Sequence, residues 1–136
     1  MMRKIFYSRP DGGLSIVSVP VDTDAAIAAA LAKLPATASN VTTVDESVVP
    51  LDRTFRNAWR QNGVSVRVDL PIARTLVEKE IETRRRVKIR DVLEREALGE
   101  NVAVEKAALR SINARLLVDA AQTPEALKLA IPDVLK

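Results

Sequence analysis

From Leu70 to Leu98 the chain carries no glycine, and its only proline lies at position 71. Charges of both signs run through the stretch, and this uninterrupted arm constrains the fold more than any other feature. Pro71 belongs in a first helical turn, where its missing N–H would have no partner anyway. Asp69, just before it, has the side chain to accept an orphan N–H as a cap. Gly99 supplies a residue that can turn left-handed after the last turn, and Asn101 can cap the next helix. Beyond it Val102, Leu109, Ile112 and Leu116 share one stripe at heptad-like spacing. The spacing predicts a long charged helix, a Gly-Glu-Asn break and a second helix reaching Val118. Such a helical hairpin or kinked pair suits a connector or assembly surface better than a catalytic pocket.

Composition narrows the chemistry. The chain contains neither Cys nor His, so it lacks thiolate chemistry, disulfides, the commonest general base and the commonest metal ligand. Neither a metal nor another cofactor is expected, because no carboxylates follow calcium-loop spacing and Asp11-Gly12-Gly13 lacks the Lys-Ser/Thr of a nucleotide loop. The net charge is +3, with eight Lys/Arg against seven Asp/Glu up to Asp69 and thirteen against eleven beyond it. Neither half has the concentrated basic character of a dedicated nucleic-acid binder. No apolar run has membrane-spanning length and no signal-peptide core opens the chain, so synthesis in the cytoplasm is expected. The four aromatic residues are Phe6, Tyr7, Phe55 and Trp59, which leaves the core mostly aliphatic.

Residues 1–69 read as a small α+β head, and residues 70–136 as the helical part. Arg3–Ser8 and Leu14–Val19 are β-prone runs around Pro10-Asp11-Gly12-Gly13, a hairpin signature. Asp22 or Thr23 caps an alanine-rich helix over Ala25–Leu34, whose face Ile27, Leu31 and Leu34 would lie on the hairpin. Asn40–Asp45 is a β-branched third strand. Phe55 and Trp59, four apart, share a face if that segment makes a helical turn. Gln61-Asn62-Gly63 is a turn, and Val64, Val66 and Val68 alternate with polar residues as a fourth strand. Near the C-terminus Thr123 as cap, Pro124 at the first helical position and Glu125 beside it start a short helix, closed by Pro132 before a tail.

The block Leu51-Asp52-Arg53-Thr54-Phe55-Arg56-Asn57-Ala58-Trp59, followed by a glycine turn and Val66-Arg67-Val68-Asp69, resembles a family of small proteins of tailed bacteriophages and prophages. Their genes sit among tail, baseplate and tail-fibre genes. Ala120-Ala121-Gln122-Thr123-Pro124-Glu125-Ala126-Leu127-Lys128 is similar to that family's C-terminal signature, and the Asp11-Gly12-Gly13 hairpin also fits. Many relatives carry Ile-His-Arg-Asp-Arg early in the long helix, where this chain has Leu76-Val77-Glu78-Lys79-Glu80-Ile81. A role for that histidine therefore does not carry over. The resemblance implies a tail, fibre or baseplate component of the virion, or an assembly helper, whose partners are other phage proteins or further copies of itself.

Three segments merit weighing as sites. Arg84-Arg85-Arg86-Val87-Lys88-Ile89-Arg90 could neutralise phosphates, but helical spacing sprays its charges around the cylinder and acids bracket it. Glu80 with Arg84 and Glu82 with Arg86 would be favourable i,i+4 pairs, and Arg86 with Arg90 a repulsive one. Asp52 can cap a turn, Phe55 and Trp59 can enter a core, and Arg53 and Arg56 can hold a partner's carboxylates. Finally, Leu76, Ile81, Val87 and Leu93 form a seam interrupted by polar residues, which suits packing on another chain or on the chain's own second arm. The reading is an α+β, non-enzymatic protein with partner-binding candidates Arg53, Arg56, Arg84, Arg86 and Arg90. Its function is structural in a virion, or that of a tail-fibre assembly chaperone, or nucleic-acid binding through Arg84–Arg90.

Overall fold

The computed structural model describes residues 2–136. The architecture is α+β, in two compact units, one ending at Asp69 and the other beginning at Leu70.

The first unit is built on a three-stranded antiparallel sheet of order β2-β1-β3, with β1 Arg3–Ser8, β2 Leu14–Ser18 and β3 Ser39–Asp45. Gly12, at φ +84°, makes the β1–β2 turn possible. Around it the Arg9 N–H donates to Gly13 O (2.8 Å) and the Gly12 N–H to Arg9 O (2.9 Å). The Asp11 carboxylate accepts the Gly13 N–H at 2.7 Å, and that bond holds its carboxyl below the usual range.

Strand alternation sends Ile5 to one face of the sheet and Phe6 to the other. On the first face α1 (Asp24–Ala32) buries Ile27 against Ile5 and Val19, flanked by Val17, Ala26, Ala30 and Leu34. On the second, Phe6, Leu14 and Val44 enclose Trp59, the first residue of β4 (Trp59–Asn62). β4 pairs antiparallel with β5 (Ser65–Val68), whose Val66 and Val68 pack on the same cluster. A helix and a hairpin thus sandwich the sheet.

Several sequence expectations change here. Among the described residues there are five strands, not four, because Trp59 opens a strand; within Phe55–Trp59 only Arg56–Ala58 forms a helical turn, of 3₁₀ type. Trp59 is drawn into the extended partner of Val68, where its ring reaches the sheet core. Gly63 (φ +61°) is the first residue of a two-residue connection, the place of glycine in a II′ turn. Thr23, rather than Asp22, caps α1 by accepting the Ala26 N–H (3.1 Å). Asp22 and Asp24 instead hold the Arg3 guanidinium. The buried arc of α1 is centred on Ala30, which leaves Leu31 at its margin and exposed.

In the second unit α2 (Leu70–Ala97) runs for 28 residues, about 42 Å at 1.5 Å per residue. It ends in a Schellman turn: Gly99 has φ +93°, its N–H reaches Glu96 O (3.0 Å), and the Glu100 N–H reaches Arg95 O (3.1 Å). Then come α3 (Ala103–Arg110), α4 (Ala114–Asp119), α5 (Pro124–Lys128) and a 3₁₀ turn at Asp133–Leu135. The α2 residues that become buried are Ala73, Val77, Ile81 and Val92, and α2 packs on α3, α4, α5 and the last turn of its own chain. The expected seam is therefore corrected. Ile81 belongs to it, Leu76 is only half-buried, and Val87 and Leu93 face solvent. At about 100° per residue, Val87 and Leu93 each lie roughly 120° around the helix from Ile81, outside the arc of Ala73, Val77, Ile81 and Val92.

The expected single second helix is also corrected. It breaks at Ser111–Asn113, where the Ser111 hydroxyl bonds Ala108 O (2.8 Å) and Asn113 caps a new helix by accepting the Leu116 N–H (3.1 Å). The break leaves Val102 and Leu109 buried but turns Leu116 outward, at 67% exposure. Nor is the C-terminus a loose tail, for Leu135 is buried.

Candidate partner-binding surfaces

Arginines of α2 fall into an inward group, an outward group and Arg95 by itself. The inward group donates to carbonyls at or just beyond the ends of the short helical segments. Arg74 directs Nε (3.2 Å) and Nη2 (2.7 Å) at Ala121 O, just past α4. Arg84 reaches Leu135 O and Arg85 reaches Ile112 O, each at 3.4 Å. Their charges are balanced locally, Arg84 by Glu80 (2.7 Å) and Arg85 by Glu82 (3.3 Å). Glu82 therefore pairs three residues on with Arg85, and not with Arg86 as the i,i+4 rule suggested. Arg85 wins because its inward position fixes the guanidinium beside that carboxylate.

Arg86 and Arg90 form the outward group. Both are exposed, and neither has an ion-pair partner among the described residues. They lie one turn apart, and Val87, Leu93 and Glu94 are exposed on the same side of the helix. Leu98, at its end, is 84% exposed.

Arg95 works as a hub at the helix corner. It contacts Asp91 (3.2 Å), Glu100 (3.5 Å) and Glu105, while Lys106 bonds Glu96 at 3.0 Å. Hydrogen bonding to Glu105, then the surrounding carboxylates, raises the Arg95 pKa further above its ordinary value. The Glu105 carboxyl is lowered by the same bond.

In the first unit, the Asp52 carboxylate accepts from the Thr54 N–H (2.9 Å) and hydroxyl (2.6 Å), closing the turn before the buried Phe55. Arg53 and Arg56 on either side are exposed and have no ion-pair partner among the described residues. Arg53 borders a concavity of about 770 Å³ whose rim includes Val49, Pro50 and the fully exposed Leu51. Arg56 borders another of about 360 Å³, with Arg9, Asn57 and Trp59. The Asp69 N–H donates to Ala58 O (2.8 Å) and its carboxylate lies 3.6 Å from Arg60 Nε. Pro71 sits in the first turn of α2. Thr123 caps α5, accepting the Ala126 N–H at 3.1 Å, with Pro124 as the first residue.

Sequence reasoning missed Gln61. Its Nε2 donates to Asn40 O (2.7 Å), Thr42 Oγ1 (3.2 Å) and Gly63 O (3.2 Å), and its Oε1 accepts from Ser8 Oγ (3.1 Å). It clasps an irregular part of β3, where Asn40 adopts φ +51° and an extra residue interrupts the register. No local signal announces this role, since its partners lie up to 53 residues away.

Among the described residues no cluster of three or more Asp or Glu side chains could hold a metal ion, and no helix is long and apolar enough to cross a membrane. No family model matches the chain, and neither a curated protein nor a solved structure is significantly similar to it.

Proposed function

We propose that this chain is a non-enzymatic structural protein of a tailed-bacteriophage virion, associated with the tail, tail fibre or baseplate, and that it assembles through α2. The observation that carries the reading is the outward side of α2, where Arg86 and Arg90 lack ion-pair partners among the described residues beside exposed Val87, Leu93 and Leu98. Unpaired guanidiniums beside exposed aliphatics suit an interface in which apolar contact supplies affinity and arginine–carboxylate pairs set register. The phage setting is supported by the resemblance of Asp52–Trp59 and Ala120–Lys128 to small proteins encoded among tail and fibre genes. Partners would be tail, fibre or baseplate proteins or further copies of this chain.

Nucleic-acid binding is less favoured, because Arg84 and Arg85 are engaged with carbonyls and carboxylates, which thins the basic stripe. Mass spectrometry of purified particles, with light scattering of the isolated protein, tests the proposal. Stoichiometric presence in particles is expected. Absence from particles together with a stable complex with an unassembled fibre protein would replace it with the assembly-chaperone reading. Binding to a nucleic-acid duplex that falls steeply with salt and is lost on Arg86→Gln/Arg90→Gln would replace it with the third.

A further inference from the structure

The two outer strands of the first sheet differ in a way that points to a ligand. β3 is blunted: its register shifts between the partners of Phe6 and Ser8, Asn40 turns left-handed, and Gln61 occupies the Asn40 carbonyl. Such irregularity is how proteins keep an edge from pairing further. β2 is less protected: Arg9 Nη1 reaches its Leu14 carbonyl, at a long 3.4 Å, but the strand itself is regular. It keeps an unbroken register with β1 from Lys4↔Ser18 to Ser8↔Leu14, and Leu14-Ser15-Ile16-Val17-Ser18 contains no proline and no charge. No strand pairs with its outer side among the described residues.

The 360 Å³ concavity beside Arg56 lies along this strand. Its walls include Leu14, Ser15, Ile16 and Val17 in succession. Consecutive strand residues point to opposite faces, so a hollow touching all four opens onto the edge, where backbone donors and acceptors lie. A guanidinium flanks each face. Arg9 Nη1 lies 3.3 Å from Ser15 Oγ and 3.4 Å from Leu14 O. Arg56 comes from the turn leading into Trp59, which packs with Leu14 on the opposite face. Among the described residues the only carboxylate paired with either arginine is Asp11, 3.4 Å from Arg9 Nε.

We infer that the free edge of β2 takes up an extended acidic segment of a partner protein. The segment adds as a strand, and two adjacent carboxylate side chains meet Arg9 on one face and Arg56 on the other. Main-chain pairing would supply affinity and the two guanidiniums selectivity. This interface is separate from the outward side of α2 and stands whether or not the virion reading does.

The test titrates the full chain with the synthetic strand acetyl-Thr-Val-Glu-Glu-Val-Thr-amide. Binding is followed by fluorescence of Trp59, the only tryptophan, and by hydrogen exchange of the Ile16 and Ser18 amides, which by the ladder's alternation point away from β1. Expected are saturable binding and slower exchange in β2. Binding should weaken about tenfold or more when Gln replaces both glutamates, when alternate peptide nitrogens are methylated, or in Arg56→Gln. Arg56 is exposed and has no ion-pair partner among the described residues, so circular dichroism should show that variant folded. Equal binding of the methylated peptide or of free glutamate would overturn the inference in favour of a small-anion pocket. No binding at millimolar peptide would overturn it too, and self-association of Arg9→Gln would then make Arg9 a guard of the edge.

Discussion

Replacing Gln61 by Glu keeps the shape of the side chain and removes both N–H donors. The native amide serves Asn40 O at 2.7 Å and Gly63 O at 3.2 Å, and shares a proton with Thr42 Oγ1 at 3.2 Å. Each neutral hydrogen bond contributes about 0.5–1.5 kcal/mol net, and a carbonyl left without its donor costs more when shielded from water. Losing two donors while setting a carboxylate against two carbonyl oxygens should therefore cost about 2–3 kcal/mol at neutral pH. The Ser8 hydroxyl keeps its bond to the side-chain oxygen, and the Thr42 hydroxyl can rotate to donate and recover part of this, which is why the figure is no larger. Urea unfolding followed by Trp59 fluorescence reports this unit specifically. The introduced carboxyl is destabilised as an anion, so its folded pKa rises. The deficit against the parent protein should then shrink as pH falls through the carboxylate range, where protonation restores one donor. A loss under about 0.5 kcal/mol, the range of an ordinary surface change, would refute the clasp. So would a deficit unchanged between neutral and acidic pH.

Three further outcomes are expected. Gly99→Ala meets open space at the new Cβ but must hold φ +93°, so helix unfolding followed by circular dichroism should show a loss of about 1–2 kcal/mol. Leu135→Ala removes a buried side chain that packs close to the chain's end and should cost about 2–4 kcal/mol in the same assay, whereas a dispensable tail would show nothing. The folded pKa of Glu105 lies below its usual 4.5, so its bond to Arg95 stabilises the fold above about pH 4.5 and is lost as pH falls through the lowered value. Glu105→Gln should flatten the acid limb of the stability–pH curve, and an unchanged limb would contradict that assignment.

What could be read from the sequence is what local chemistry decides. Gly12, Gly63, Thr23 and Thr123-Pro124 each act within a few residues, through backbone conformation or a cap, and a neighbourhood of four or five residues reveals them. The arm from Leu70 to Ala97 was equally plain, since nothing within it opposes a helix. Its buried side was not. Exposed Val87 and Leu93 have the same apolar character as buried Ile81 and Val92, and only the short helices decide between them. Nor was the break at Ser111–Asn113 plain: Asn113 caps α4, but a single residue of capping type inside an apolar stripe does not by itself end a helix. For the arginines composition was misleading: Arg84, Arg85 and Arg86 are chemically identical, and their roles diverge because each step around the helix turns the side chain by about 100°.

The Arg95 corner also bears on the order in which the second unit is assembled. Its partners Asp91, Glu100 and Glu105 lie four, five and ten residues away along the chain, and loops of about ten residues close in roughly 10–100 ns. The Arg84–Leu135 contact spans 51 residues and must await a far larger loop closure. Folding of this unit should accordingly start at the corner between α2 and α3 and finish with the docking of the C-terminal turn. During synthesis, the corner can form before the ribosome has released the residues that complete the core.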